Sequence, residues 1–289
     1  MNAGPVNAMS VDVEDYFQVS AFEGLVPREA WDHQPRRVEA NTHAVLDLFA
    51  EAGVRATFFV LGWVAERHPG LVRRICEEGH ELASHGWEHV RATEQDRCTF
   101  FEDVSRTKAL LEDLSGVAVR GYRAASYSIV RRNWWAFEAL AEAGYHYSSS
   151  VYPIHHDLYG VPDAPLEPFR PDNADILEIP VSVVEVAGRR LPAGGGGFFR
   201  LYPYAFSRWA IRRVNHAGRR LVFYFHPWEI DPDQPRMVGA SRRSRLRHYL
   251  NLKRMRPRLA RLLRDFRWDR MDRVFPIDEE SRRHMERAS

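Results

Sequence analysis

The sequence has no uncharged apolar run of 18 residues, and its richest stretch, Thr57 to Ala65, is too short to cross a bilayer. A transmembrane helix is not expected. Cysteine is equally scarce: Cys76 and Cys98 are the only two in 289 residues, which excludes a disulfide framework or a cysteine-based zinc knuckle. Both read as reduced thiols with no part in chemistry. The first fifteen residues lack the basic start and apolar core of a secretory signal, so the expected compartment is the cytoplasm. A formal net charge of only +2 gives no reason to expect nucleic-acid binding. With 45% hydrophobic residues, disorder and fibrous architectures are excluded as well.

The small net charge conceals an asymmetry. From Arg236 to Ser289 there are 17 lysines and arginines against 7 acids, a net of +10, which leaves −8 for residues 1–235. The chain therefore divides into a body, residues 1–235, and a basic extension, residues 236–289. In the extension Leu259, Leu262, Leu263 and Phe266 recur at helical spacing with arginines on the other face. The expectation is an amphipathic helix docked on the acidic body. The alternative is peripheral association with an anionic membrane or a phosphate-rich surface.

Within the body, short β-branched runs alternate with amphipathic stretches, the pattern of an α/β fold with a parallel sheet or barrel. AMSVDV reads as the first strand. VEANTHAVLDLFAEAG reads as a helix capped by Asn41 or Thr42 and stopped at Gly53. RATFFVLG, HELASHG, VRGYRAA, YHYSSS, ILEIPVSVVEV and RRLVFYFHPWEI follow as strands, with helices between the earlier ones. Ionisable residues gather where these strands end, which is where barrel-like α/β folds carry their sites.

Three clusters carry chemistry. Asp12, Glu14 and Asp15 place three carboxylates in four residues at the end of the first strand, an arrangement that repels itself unless a cation or proton sits among them. In SHGWEH, His85 and His89 are four apart; on one face of a helical turn both could ligate one ion, and with a carboxylate they leave positions open for water. His226 ends VFYFHPWEID just before a proline, as a proton donor or acceptor would. Weaker signals are Arg123, whose guanidinium could orient a carboxylate, and the glycines 194–197 with Phe198 and Phe199, which lack the phosphate-cradling spacings and suit a sugar-contacting lid. Trp87 and Trp228 are further candidate faces for a pyranose ring.

The order of these motifs, with TFFVLGWVAERHPGLVRRICEEGHELASHGWEH and RGYRAASYSI between the acidic strand end and FYFHPWEID, resembles the polysaccharide deacetylase family (NodB-homology, carbohydrate esterase family four) over about residues 9–268. The start SVDVEDYF is similar to the branch associated with exopolysaccharide and exosortase loci, which also has an extra C-terminal segment. The resemblance implies a distorted (β/α) barrel and metal-dependent removal of N-acetyl groups from amino sugars of a polysaccharide or its precursor. It implies that His85 and His89 bind the metal, that Arg123 orients the base, that the Tyr127 backbone N–H helps hold the oxyanion, and that His226 is the general acid. The acidic cluster supplies base and ligand in one of two ways. In the favoured one Asp15 binds metal and Asp12 is the base; in the other Glu14 is the base and Asp12 is structural. Strand alternation puts Asp12 and Glu14 on one face and Asp15 on the other unless the strand ends before Asp15. Two departures stand out, Ala125 where proline is expected and Ser148 where aspartate is expected.

Zinc is the default ion for such donors, with cobalt, nickel and iron(II) also compatible. Two other functions compete: a metal-free, allantoinase-like amide hydrolase, against which the His pair argues, and a silent sugar-binding or assembly protein of an exopolysaccharide machine.

Overall fold

The computed structural model describes residues 4–155 and 159–277. Its organising element is β1 (Val6–Val13), which is buried from Asn7 onward because it has partners on both edges and covered faces on both sides. Thr57–Val60 (β2), Glu81–Ser84 (β3), Gly121–Tyr122 (β4), Tyr147–Ser148 (β5) and Leu177–Glu178 (β6) follow on one side of it, all parallel. Val183–Val186 (β7) and Arg189–Pro192 (β8) make a separate antiparallel hairpin. Val222–Phe225 (β9) returns to pair with Ala8–Val11, and Arg267–Asp269 (β10) pairs with Val6–Ala8. Eight parallel strands thus point their C-terminal ends the same way, as an open (β/α) barrel requires.

The connecting helices are Val38–Ala52 (α1), Gly62–Arg67 (α2), Pro69–Glu77 (α3), Arg97–Ser115 (α4) and Ala136–Glu142 (α5). Gly196–Leu201 (α6) and Tyr204–His216 (α7) precede β9, and Arg242–Tyr249 (α8), Leu252–Asp265 (α9) and Met271–Val274 (α10) complete the chain. Helix α1 starts three residues before the expected caps. Neither Asn41 nor Thr42 caps it; the Asp15 carboxylate does so from a distance, accepting the Arg37 and Val38 N–H groups at 2.7 and 2.9 Å. Gly53 closes the helix with φ 64°, the left-handed conformation that costs glycine least. None of the helices in the described residues is long and apolar enough to cross a membrane.

The basic extension is more than a docked helix. α9 buries Leu259, Leu262 and Leu263 as its spacing predicts, and Phe266 lies against the same core. The chain then enters the central sheet as β10, which sequence patterning missed. α10 closes the bottom of the barrel: Met271 N–H donates to Thr57 Oγ1 (2.8 Å) and Asp272 N–H to the buried Glu81 (3.2 Å). Burial pushes the pKa of the Glu81 carboxyl up, against the pull of the Thr57 and Tyr147 hydroxyls that donate to it. Residues 278–289 of the extension lie outside the described residues.

Candidate active site

At the C-terminal end of β1, side-chain alternation sorts the three acids. Asp12 and Glu14 line a cavity of about 510 Å³, whereas Asp15 turns away to cap α1. The expected role of Asp15 as a metal ligand is therefore corrected: both its oxygens accept backbone N–H groups, of Tyr16 on one side and of Arg37 and Val38 on the other. Burial raises its pKa to about 6 against the pull of those three donors.

Asp12 is met by Arg123, which follows β4. The two are buried, with Nη1 donating to Oδ1 at 2.6 Å, and the same guanidinium donates to Ser10 Oγ (2.9 Å), the Ser149 carbonyl (3.2 Å) and Ser149 Oγ (3.1 Å). The fork is thus fixed by four hydrogen bonds and orients Asp12, whose other oxygen, Oδ2, lies 3.9 Å from His226 Nε2. Ser148, in place of an aspartate, is not among the acceptors of the Arg123 guanidinium; its hydroxyl is 2.8 Å from Ser150 Oγ. A carboxylate reaches this region from β6 instead, where Glu178 accepts the N–H groups of Ser150 and Val151 at 2.9 and 2.8 Å.

His85 and His89 come together, but not on a helix. The segment after β3 is a loop with Gly86 at φ 76° and His89 itself at φ 54°, a left-handed conformation that costs a non-glycine residue of order 1–3 kcal/mol. That strain brings the two rings to 5.3 Å. His85 Nδ1–H donates to the Arg123 carbonyl (2.8 Å), which leaves the Nε2 lone pair free and aimed by the same residue that aims Asp12. Burial holds both imidazoles below their ordinary range, so both are neutral donors.

Glu14, His85 and His89 offer donor atoms that all lie within 4.8 Å of one another. His89 Nε2 is 3.0 Å from Glu14 Oε2 without hydrogen-bonding alignment, and that buried oxygen has no hydrogen-bond partner. Burial pushes Glu14 up to about 7, the cost of a carboxylate without its counter-ion. An orphaned carboxylate oxygen beside two neutral imidazoles is a donor set that fits a divalent cation, with Glu14 in the place expected of Asp15.

His226 stands opposite, at the end of β9. Its Nε2 is 3.5 Å from Glu14 Oε1 and 3.9 Å from Asp12 Oδ2, while Nδ1 shares a 2.8 Å hydrogen bond with Glu229. Burial lowers its pKa, but Glu14 and Glu229 outweigh that and push it up to about 9. Sequence reasoning passed over what holds this histidine. Glu229 is fully buried and accepts from Arg200 Nε at 2.6 Å; Arg200 in turn donates to the carbonyls of His248 (2.8 Å) and Leu250 (2.7 Å). Gly196 makes room, since a Cβ there would collide with the Glu229 carboxylate. Trp228 stacks between His226 (5.2 Å) and His248 (4.1 Å) and donates Nε1–H to Glu14 at 3.3 Å. The available signal was HPWE itself, a histidine with a glutamate three residues on.

Other expectations need correcting. The Tyr127 N–H is engaged by the Ala124 carbonyl at 3.0 Å, within a turn where Ser126 and Tyr127 both have φ 53°, so it is not an open oxyanion donor; the Tyr127 ring lines the cavity instead. Of the four aromatics expected to face a sugar, only Trp228 lines the cavity. Trp87 is buried under the Arg106 guanidinium, Phe199 sits in the core against Phe223, and of glycines 194–197 only Gly197 reaches the cavity.

The family model described as Polysaccharide deacetylase matches residues 30–148, and one described as Domain of unknown function (DUF3473) matches residues 149–276. A peptidoglycan-N-acetylglucosamine deacetylase of Listeria monocytogenes serotype 1/2a is 40% identical over 75 residues, 26% of this chain and 16% of that protein. A chitooligosaccharide deacetylase of Rhizobium leguminosarum bv. trifolii is 33% identical over 118 residues, 40% of this chain and 50% of that protein. The matches thus span at most half the length of these relatives. The crystal structure of a candidate polysaccharide deacetylase from Mycobacterium smegmatis superposes with a TM-score of 0.61 at 21% identity, covering 99% of this chain and 93% of that one, and shows the fold. Residues 30–148 are thus similar to the polysaccharide deacetylase family, and residues 149–276 to a domain of unknown function.

Proposed function

We propose that this chain is a metal-dependent N-deacetylase acting on N-acetylated amino sugars. The observation that carries the reading is the coincidence, in one cavity, of three donors that suit a cation with a buried, arginine-bound carboxyl group and an imidazole beside them. The names of the deacetylase relatives support the substrate type. Glu14, His85 and His89 hold the cation. A bound divalent cation supplies Lewis-acid polarisation of water and of the amide carbonyl.

Amide hydrolysis further needs a base for the water and an acid for the departing amine. Asp12 is the base, oriented by the Arg123 fork. His226 gives a proton to the amine nitrogen, while Glu229 stabilises the imidazolium and fixes the ring through Nδ1. The products are acetate and a free amino sugar. The ring of Trp228 and that of Tyr127 provide apolar walls. On the likeness of SVDVEDYF to the exopolysaccharide-associated branch, the reaction belongs to exopolysaccharide synthesis in the cytoplasm, and zinc is the ion the donor set favours.

The test is metal occupancy against turnover. Glu14→Gln, His85→Ala and His89→Ala should each lose bound metal and acetate release together, whereas Asp12→Asn should keep metal and lose turnover. Full occupancy in all three ligand variants would overturn the assignment.

A further inference from the structure

The cavity has a second, oppositely charged end. Its floor carries Asp12 and Glu14, and its rim is supplied by α8, whose Arg243, Ser244 and Arg247 line the same opening. Arg243 and Arg247 are four residues apart, hence on one face of the helix, and both are exposed. Among the described residues neither forms an ion pair with a carboxylate.

The rim is also held in fixed relation to the floor. Ser241 caps α8 by accepting the Ser244 N–H at 3.0 Å. At the other end the buried Arg200 binds the His248 and Leu250 carbonyls and reaches that of Arg247 (3.3 Å), while its Nε bonds Glu229, the partner of His226. The helix bearing the two arginines is therefore tied to the residues that set the candidate acid. Two guanidinium forks, without a carboxylate partner among the described residues and held over one side of a cavity whose floor is acidic, select a ligand with a neutral end and an anionic end.

We infer that Arg243 and Arg247, with Ser244, form an oxyanion subsite, and that the substrate is an N-acetylated sugar bearing a carboxylate or phosphate on the same or the adjoining residue. This deepens the proposed deacetylation and rests on it for the acetamido end alone. A guanidinium pair takes either oxyanion, so the source is a uronic acid within an acidic glycan or the phosphate of an activated or carrier-linked sugar.

The test uses the full chain loaded with zinc, with binding followed by ligand-observed NMR and acetate read from the same spectra. N-acetylglucosamine is compared with its 1-phosphate, and neutral chitotetraose with a tetrasaccharide alternating N-acetylglucosamine and glucuronate. The anionic member of at least one pair should bind about tenfold tighter than its neutral counterpart, with the preference shrinking as salt is added. Arg243→Ala/Arg247→Ala should bring that ratio close to one, and Arg243→Lys/Arg247→Lys should restore part of it. The pair with the larger preference identifies the source, phosphate or uronate. Equal binding of charged and neutral ligands to the native chain, or a preference that survives the double alanine variant, overturns the subsite. An intact, arginine-dependent preference with no acetate from any ligand leaves the subsite standing and refutes the deacetylase reading instead.

Discussion

Replacing Glu229 by glutamine keeps shape and removes one charge from the chain that runs from Arg200 through Glu229 to His226. Two effects follow from the structure. Glutamine leaves the Arg200 guanidinium, 2% exposed, without its carboxylate. Breaking a buried pair from one side costs about 3–5 kcal/mol, and the backbone carbonyls that Arg200 still binds place this case toward the lower figure. The second effect is on His226, which loses one of the three carboxylates, Glu14, Glu229 and Asp12, that push its pKa up to about 9, so it should fall toward its ordinary value. The sign for stability is fixed. A histidine whose folded pKa is raised stabilises the fold fully below 6.5, and that contribution is lost as pH rises through about 9. In Glu229→Gln the loss across this interval should shrink. The assay is urea denaturation of the metal-free chain across that pH range, with the imidazole titration of His226 followed by NMR. An unchanged His226 pKa together with native stability would refute the proposed coupling.

Asp15→Asn should cost about 0.5–2 kcal/mol of stability, as loss of a helix cap does, while metal binding measured by dialysis stays at the native level; loss of metal would return Asp15 to the ligand set. Gly196→Ala should destabilise by about 1–3 kcal/mol in thermal melts because its methyl meets the Glu229 carboxylate, and a neutral outcome would mean that α6 yields freely. Truncation before Arg236 removes β10, α9 and α10 together, so the shortened chain should fail to give a cooperative unfolding transition; a cooperative native-like transition would make the extension dispensable for folding.

Long periodic segments were legible. The spacing of Val45, Leu48 and Phe49 in α1 and of Leu259, Leu262 and Leu263 in α9 reports burial directly, because a helix that covers a sheet has one apolar stripe. β10 was not legible: RWD is three residues long with one buried side chain, and it is a strand only because β1 offers an open edge there. The site shows the same division. Asp12, His85, His89, Arg123 and His226 could be read because their types and order carry the chemistry. Glu14 against Asp15 turned on the residues just past Val13, where β1 ends and alternation no longer decides; only the structure shows Glu14 facing the cavity beside Asp12 and Asp15 turned to cap α1. Arg200 and Glu229 were hidden for another reason: they sit 29 residues apart, and nothing in a linear sequence marks which arginine meets which glutamate.

The central claim is hydrolysis of an N-acetyl amide at the Glu14, His85 and His89 centre. The most direct measurement is acetate release from N-acetylated saccharides by the zinc-loaded chain, beside the same chain stripped by a chelator and then restored with zinc. Acetate should appear in stoichiometric equality with new free amine, vanish on stripping and return on restoration. Acetate formed at an undiminished rate by the stripped chain, or none from any N-acetylated saccharide by a fully loaded one, would contradict it.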